Sequence, residues 1–428
     1  MLDIKLIREN PASVKENLKK RNDPELLKKV DELLKADERY RIVLKELEGL
    51  RYERNRVTAE VAQLKKENKA PDDRIKKMKI VGDEIKDLEE ETSRLQDQIR
   101  NLLLRIPNLL HESVPFGKDD KENVTVKKVG VPLKFKFQPK NHFDLLTNLD
   151  LIDQERANKV AGHGFFYNKN ELVLLDFALQ RYALDFLIKK GFTIVQPPYM
   201  LQRKPYEGVT DLSDFENVMY KIENEDLYLI ATSEHPIASM FMNETFLGEQ
   251  LPLKVAGISA CFRKEVGAHG KYTKGLFRMH QFNKIEQFIF SRPEDSWKLH
   301  EDLQKNTEQL LKGLGLVFRV VNVCTGDIGS IAAKKYDTEA CMSDGEYREV
   351  GSNSNCTDYQ ARRLNIKYRE KEGQSPLGFI HTLNNTAIAT SRIMVCLLET
   401  HQKADGSVKI PRVLLPYMGG IKELVRKP

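Results

Sequence analysis

Apolar residues recur in steps of three and four along two stretches in the first quarter of the chain. The first stretch has Tyr40, Val43, Leu47, Leu50, Val57, Val61 and Leu64, and the second has Met78, Val81, Ile85, Leu88, Thr92, Leu95, Ile99, Leu102 and Ile106. This spacing places side chains on one face of a helix. Pro71 and Asp72 indicate a turn between them. The pattern predicts two antiparallel coiled-coil helices, at about 26–68 and 72–106, which end at Pro107.

The predicted hairpin has two possible roles. Coiled coils commonly serve as dimerisation rods or spacers, and the interleaved acidic residues are typical of a solvated helix face. Alternatively, a rod with a basic tip suits a phosphate backbone, because Lys and Arg contacts release counterions. The basic residues around the predicted turn are Lys65, Lys66, Lys69, Arg74, Lys76 and Lys77.

Beyond the hairpin the pattern changes twice. Turn residues and charges dominate residues 108–150, which we interpret as a linker after an N-terminal domain at 1–107. From 151 to 428, amphipathic helices such as "NELVLLDFALQRYALDFLIKKG" are mixed with alternating stretches such as "KVAGISACFRKEV" and "RMHQFNKIEQFIF". Strands that follow one another favour an α+β domain with an antiparallel sheet and helices against it.

Composition limits the kinds of partner, metal site and cellular compartment that the sequence predicts. The chain has 428 residues and a formal net charge of +6, which permits a polyanionic partner without requiring one. No stretch of eighteen apolar residues predicts a membrane span. The scattered cysteines show no C-x-x-C spacing, so we expect neither a structural zinc nor disulfides, and free thiols favour the cytoplasm. They are Cys261, Cys324, Cys341, Cys356 and Cys396.

Three stretches follow one another in the C-terminal part of the chain: "IKKGFTIVQPPYM", then "FRKE" followed by "FRMHQFNKIEQF", then "TAIATSRIMVCLLE". Together they resemble the three signature motifs of class II aminoacyl-tRNA synthetases. "TSEHP", "EVGSNSNCTDYQARR", "IPNLLHESVPFG" and the helical hairpin look like those of seryl-tRNA synthetases. The form "TAIATSR" resembles the archaeal and eukaryotic versions. The similarity covers essentially the whole chain.

The resemblance implies a function for each part. The C-terminal domain would activate L-serine with ATP and transfer it to the 3′ end of tRNA(Ser), and enzymes of this family often accept tRNA(Sec) as well. The hairpin would grip the long variable arm of the tRNA, and the chain would form a homodimer. Mg²⁺ would accompany ATP, held through Glu349 and Ser352.

The resemblance also assigns residues. For ATP it implies Arg263, Lys264, Glu265, Arg278, Met279, Phe282, Glu349, Val350, Gly351, Ser352 and Arg392. For serine it implies Thr232, Ser233, Glu234, Glu286 and Thr386. Among these, Arg263, Glu286 and Arg392 would be the catalytic set. Phe282 would stack on adenine and Arg392 would cover its other face.

The chemistry suits these residue types. A serine carboxylate that attacks the α-phosphorus is already ionised, so the reaction needs charge neutralisation and alignment rather than a general base. The guanidinium of Arg263 can hold a phosphate oxygen in fork geometry. Glu286 would accept from the serine ammonium, and the hydroxyl of Thr386 would meet the serine side chain.

Plainer interpretations exist for each residue. Arg263 and Glu265 could be a surface pair, Phe282 a core residue, and Glu286 a solvent-exposed partner of Lys284. Thr232 or Ser233 could simply cap a helix. At the level of the whole chain, the alternatives are an enzyme that loads an amino acid onto a carrier protein and a non-catalytic RNA-binding paralogue.

Two positions depart from the family pattern. Gly351 stands where many relatives have serine, which we expect to loosen a contact on the ATP side. Cys341 stands where tryptophan is common, which we expect to leave a cavity or to require repacking.

Overall fold

The structure of the protein is a computed structural model that describes residues 1–68, 70, 72–211, 217–265 and 275–427, without the side chain of Asp72. It divides into two compact units. One comprises Leu2–Pro107, and the other comprises 108–428 together with Met1. No helix in the described ranges is long and apolar enough to cross a lipid bilayer.

The N-terminal unit is helical. Asp23 caps the longest helix by accepting a hydrogen bond from the backbone N–H of Glu25, and Pro24 occupies its first turn. Lys69 and Pro71, between the two long helices, lie outside the described residues. The helices are α1 (Ile4–Glu9), α2 (Pro11–Lys19), α3 (Pro24–Lys66) and α4 (Asp72–Arg105).

Helices α3 and α4 pair along the predicted apolar stripes. Leu47, Val81 and Ile85 are almost fully buried and form a small core between the two helices. Ion pairs flank this seam: the guanidinium of Arg39 donates to Glu91 at 2.8 Å, and that of Arg51 donates to Glu89 at 2.7 Å. Such exposed pairs contribute little energy, so apolar burial holds the hairpin together.

The C-terminal unit is built on an eight-stranded sheet with the order β1-β10-β11-β12-β15-β9-β8-β4. Neighbouring strands are antiparallel, except that β4 runs parallel to β8. The strands of this sheet are β1 (Val124–Val129), β4 (Thr193–Val195), β8 (Leu253–Phe262), β9 (Gln281–Ser291), β10 (Phe318–Asn322), β11 (Lys334–Cys341), β12 (Tyr347–Asn355) and β15 (His381–Ala389).

The remaining elements surround the sheet. The helices are α5 (His142–Asn148), α6 (Gln154–Ala161), α7 (Glu171–Lys189), α8 (Arg203–Val209), α9 (Glu234–Ser239), α10 (Ser296–Gly313), α11 (Tyr359–Leu364) and α12 (Thr390–His401). The short strands are β2 (Ile152–Asp153), β3 (Tyr167–Asn168), β5 (Met200–Leu201), β6 (Tyr228–Leu229), β7 (Thr245–Leu247), β13 (Lys367–Arg369), β14 (Gly378–Phe379), β16 (Val408–Lys409) and β17 (Glu423–Leu424). Four 3₁₀ turns complete the description, at Asp120–Glu122, Gly248–Gln250, Pro293–Asp295 and Arg412–Tyr417.

The interpretation of 108–150 as a linker was wrong. Within it, β1 pairs with β10 as the edge strand of the main sheet, and α5 buries Leu145 and Leu146 in the core. The sequence did not reveal these elements because β1 is short, mostly exposed and surrounded by charged residues.

The alternation of side chains along β9 separates two cores. Ile285 and Ile289 point into a large core that includes α7 and α12, whereas Phe288 and Phe290 point into a second core beside α8 and α11. Glu286 lies on the same face as Phe288 and Phe290. Lys284 and Glu286, the polar neighbours of Ile285 in the strand, therefore lie on the face of the sheet that points away from α7.

Candidate active site

The centre of this face is a buried ion pair. The ammonium nitrogen of Lys284 lies 2.6 Å from Oε2 of Glu286, and their side chains are only 8% and 2% exposed. The hydroxyl of Thr386, directly opposite Glu286 on β15, donates to the same oxygen at 3.4 Å. Burial raises the pKa of Glu286, and the charge of Lys284 opposes that rise. The solvent-exposed pair considered as an alternative is thus wrong, because both partners are buried.

A second buried carboxylate faces this pair from the start of α9. Oε1 of Glu234 accepts hydrogen bonds from Gln360 at 3.1 Å and Asn384 at 3.0 Å. Burial, with a contribution from the negative charge of Glu286, raises the pKa of Glu234 to about 7. Glu234 is therefore close to its titration point at neutral pH.

The residues before Glu234 differ in their surroundings. Oγ1 of Thr232 accepts from the backbone N–H of Glu234 at 3.1 Å, so Thr232 also serves the helix start. Ser233 is fully buried, with its hydroxyl 3.5 Å from the carbonyl oxygen of Gly257 on β8. A side chain at Gly257 would collide with Ser233, so this glycine allows the close approach of α9 to the sheet.

Arg263 follows the last residue of β8. Its Nε donates to the carbonyl oxygen of Ala231 at 3.3 Å, and its guanidinium carbon lies 5.4 Å from the centre of the Phe282 ring. Phe282 lies on the same face of β9 as Lys284 and Glu286. The strand therefore presents, in order, an aromatic ring, an ammonium group and a carboxylate.

A second charged group lies across the sheet on β11, β12 and α12. The guanidinium of Arg392 donates to Oε1 of Glu349 at 3.0 Å, and the hydroxyl of Ser352 lies 3.4 Å from that oxygen. Partial burial alone would raise the pKa of Glu349, but the charges of Arg392, Lys335 and Arg263 outweigh it and lower the pKa to about 2.

Glu349 and Ser352 meet because the strand is irregular. Thr338 on β11 pairs with Gly351, but the next residue, Glu339, pairs with Glu349, which leaves Val350 as an extra residue in β12. Such a bulge reverses the alternation of faces, so residues three apart point to the same side. The side chain of Val350 itself is buried in the core.

The residues fit a magnesium ion held together with ATP. Glu349, Ser352 and the nearby Asp337 offer hard oxygen donors, and Oδ1 of Asp337 has no hydrogen-bond partner among the described residues. Over the same residues, no group of three or more histidine, cysteine, aspartate or glutamate side chains could hold a metal. An ion here would therefore complete its coordination with phosphate oxygens and water.

The other residues predicted to bind ATP do not all lie together in the structure. Arg278 lies 3.5 Å from the carboxylate of Glu265, so these two residues meet at the base of the loop that spans 266–274. Lys264 points elsewhere, with its ammonium 5.9 Å from the Tyr220 ring. Arg392 lies over the Phe277 ring at 5.3 Å, and its place on the other face of adenine stays a prediction from the sequence.

Met279 and Phe282 line one cavity of about 160 Å³, next to the first residues of α12. Residues 266–274, between Glu265 and Gly275, lie outside the described residues.

The two departures have local explanations. A Cβ atom at Gly351 would come within 2.9 Å of the Cβ of Thr386, so a serine would displace Thr386. Glycine at this position therefore makes room for the side chain of Thr386. Cys341 is buried beside a cavity of about 10 Å³, which has room for no more than a single water molecule. The expected loss of packing is therefore small.

Sequence reasoning named Lys284 only as a solvent-exposed partner of Glu286, and it missed Lys335 and Asp337 on β11. The ammonium of Lys335 lies 3.5 Å from Oδ2 of the buried Asp337. Burial raises the pKa of Asp337, and the charge of Lys335 opposes that rise. Because these residues lie on a different strand from Glu349, the local sequence pattern did not predict that the three groups interact.

Comparison with known families accounts for both units. Residues 1–110 match the model of the seryl-tRNA synthetase N-terminal domain. Residues 217–401 match the model of the class II tRNA synthetase core domain for G, H, P, S and T. The serine–tRNA ligase of Methanospirillum hungatei is 53% identical over 419 residues, which cover 98% of this chain and 99% of that protein.

Solved structures agree over the full length. Seryl-tRNA synthetase from Pyrococcus horikoshii, crystallised with ATP, is 49% identical with a TM-score of 0.94, and the match covers 100% of each chain. The cytoplasmic serine–tRNA ligase from Naegleria fowleri, with AMP, is 37% identical with a TM-score of 0.87, covering 100% of this chain and 99% of that one. This chain therefore belongs to the seryl-tRNA synthetase family of class II aminoacyl-tRNA synthetases.

Proposed function

We propose that the chain activates L-serine with ATP and transfers the seryl group to the 3′ end of tRNA(Ser). The observation that carries this proposal is the placement of Arg263, Lys284, Glu286 and Thr386 on one face of the sheet, beside the pair of Glu349 on β12 and Arg392 in the first turn of α12. Membership of the family and the match to a relative crystallised with ATP support it.

The first step joins two anions. An oxygen of the serine carboxylate attacks the α-phosphorus of ATP, the bond to the β-phosphate oxygen breaks, and pyrophosphate leaves. Arg263 stabilises the charge that gathers between carboxylate and phosphate, because its guanidinium is fixed by Ala231 and Phe282. Phe282 offers its ring to adenine, and Arg392 lies beside Glu349 at the polyphosphate side.

The serine pocket recognises the amino acid by its polar groups. Glu286 and Glu234 receive the ammonium group, and Thr386 meets the hydroxyl. A site that hydrogen-bonds a hydroxyl rejects alanine strongly, because its polar groups would be left unpaired. Mg²⁺, held by Glu349, Ser352 and Asp337, would neutralise phosphate charge when bound. In the second step a ribose hydroxyl of the tRNA attacks the seryl carbonyl carbon, and AMP leaves.

The N-terminal hairpin supports tRNA as the acceptor. Lys65, Lys66 and Lys76 are exposed near its tip, whereas Lys77 and Arg74 make ion pairs across the hairpin with Glu53 at 2.9 Å and Glu60 at 3.5 Å. We therefore assign the phosphate contacts chiefly to the first three. The match of residues 1–110 to the family's N-terminal domain gives no support to a carrier-protein loader, and the retained charged site gives none to a non-catalytic paralogue.

Two further proposals concern assembly and setting. Leu174, Phe177 and Ile188 form an exposed apolar row on α7, and a second copy of the chain in a homodimer would cover it. The five cysteines are free and buried, which agrees with a reducing cytoplasm. Serylation of tRNA(Sec) stays a prediction from the sequence.

Replacement of Arg263 by alanine tests the activation step. We expect serine-dependent ATP–pyrophosphate exchange to fall by roughly a hundredfold or more in kcat/KM, which is the cost of removing one charge-stabilising donor. Arg292→Ala is the matched control, since Arg292 pairs with Glu370 beyond the far end of β9. Exchange at the parent rate in Arg263→Ala would remove Arg263 from the mechanism.

The pH dependence of serine binding tests Glu234. Its carboxyl is neutral below its pKa of about 7 and charged above it, and only the charged form attracts an ammonium group. The KM for serine in the exchange reaction should therefore rise as the pH falls through about 7. In Glu234→Gln this dependence should vanish, and a persistent dependence would assign the titration to another group.

Replacing Lys65, Lys66 and Lys76 with alanine tests the hairpin. The KM for tRNA(Ser) in aminoacylation should rise, and its salt dependence should lose a logarithmic slope of about 0.7 to 0.9 for each phosphate contact removed. Pyrophosphate exchange should be unchanged. The control replaces Lys19, Lys20 and Lys28, which are exposed nearer the start of the unit. An equal effect of both triple variants would argue against recognition at the tip.

A further inference from the structure

Lys284 is an unusual residue for a sheet interior. Lysine is rarely buried unless it is paired, and the whole residue is only 6% exposed here. Its ammonium contacts Glu286 at 2.6 Å, which is the distance of a strong charge-assisted hydrogen bond. Neither the ATP contacts nor the serine contacts described above include Lys284.

The sheet register fixes where this ammonium lies. Lys284 is opposite Ser259 on β8 and opposite Ala389 on β15, both small residues that leave room above the strand. Along β9 it stands between Phe282 and Glu286. The lysine therefore occupies the position between the proposed adenine platform and the proposed ammonium acceptor.

The contacts on Glu286 are one-sided. Lys284 and Thr386 both approach Oε2, so an incoming ammonium group is offered Oε1. Without Lys284, the carboxylate of Glu286 would be buried beside Glu234, and among the described residues Arg263 would be the cation that still stabilises its charge. A buried carboxylate in that setting takes up a proton instead of remaining charged.

We propose that Lys284 is a positioning residue that keeps Glu286 ionised and turned so that Oε1 receives the ammonium group of serine. This inference rests on the proposed function and adds a determinant of amino-acid binding to it. Lys284 thereby acts through Glu286, and it has no bond to form or break in the reaction.

Several charged or titratable groups surround the pair and share its electrostatics. Glu234 and His235 face it from α9, Arg263 and Cys261 from β8, and Thr386 contributes a hydroxyl from β15. Burial and the charges of Lys284 and Arg263 lower the pKa of His235 to about 3, so this histidine is neutral. The carboxylate that responds to loss of Lys284 is then Glu286 or Glu234.

The test is a double-mutant cycle in the full chain, read by serine-dependent ATP–pyrophosphate exchange. Lys284→Met keeps the length of the side chain and removes its charge. We expect the KM for serine to rise roughly tenfold or more at neutral pH, because a protonated Glu286 no longer attracts the ammonium group of serine. The KM for ATP should stay within about twofold, and the rise in serine KM should diminish as the pH increases.

The cycle separates positioning from plain stabilisation. If Lys284 acts through Glu286, Lys284→Met should change the serine KM by less than about twofold when made in a Glu286→Gln background. The double variant also removes both buried charges, so it stays folded if Lys284→Met alone does not. Lys254→Met is the control, because Lys254 lies near the start of the adjacent strand β8.

Each outcome decides between the alternatives. A full effect of Lys284→Met in the Glu286→Gln background, or equal rises in the KM for serine and for ATP, would overturn the inference. So would an unchanged serine KM in folded Lys284→Met. A parent chain that shows no serine-dependent exchange would contradict the proposed function itself, which the variants do not address.

Discussion

The buried ion pair between Lys284 and Glu286 is the constraint on which the site depends. A charge can be withdrawn from water only if a partner of opposite sign and fixed hydrogen bonds replace the lost hydration. The register of β9 with β8 and β15 supplies that partner and places Thr386 against the same carboxylate. The sheet thus keeps a charged group ready in a place that water barely reaches.

The same rule extends over the neighbouring strands. Three acids on these strands each have a cation nearby: Lys284 beside Glu286, Lys335 beside Asp337, and Arg392 beside Glu349. Phosphate groups and a carboxylate can bind near the cations, and an ammonium group can bind near the acids. Each substrate charge then has a protein group of opposite charge beside it. Interactions in a partly dry cleft are stronger than in water, which favours fixed charges over mobile ones in catalysis.

Local pattern was enough to predict the hairpin, the long helices α7, α10 and α12, and the strands β8 and β9. Heptad spacing identified the seam that contains Leu47 and Val81, because burial along a helix follows a regular period. The edge strand β1 was missed because it is short and lies among turn residues and charges that are typical of a linker. Arg263, Glu286 and Arg392 could be named because a motif surrounds each of them in the sequence.

Contacts that depend on strand pairing or on a bulge could not be predicted from the local sequence pattern. The bulge at Val350 brings Glu349 and Ser352 together, although simple alternation would place them on opposite faces. The closeness of Gly351 to Thr386 likewise depends on the pairing of distant strands. Pairing that joins residues far apart in the chain is set by the whole fold, so a single stretch of sequence does not contain it.

A crystal structure of the chain with a non-hydrolysable seryl-adenylate analogue, seryl-sulfamoyl adenosine, would test the central claim most directly. The account predicts the ammonium group of the analogue at Oε1 of Glu286, with Lys284 still on Oε2, the adenine on Phe282, and Arg263 at the group that replaces the phosphate. An analogue bound elsewhere, or a Lys284 that has left Glu286 to contact the analogue, would contradict it.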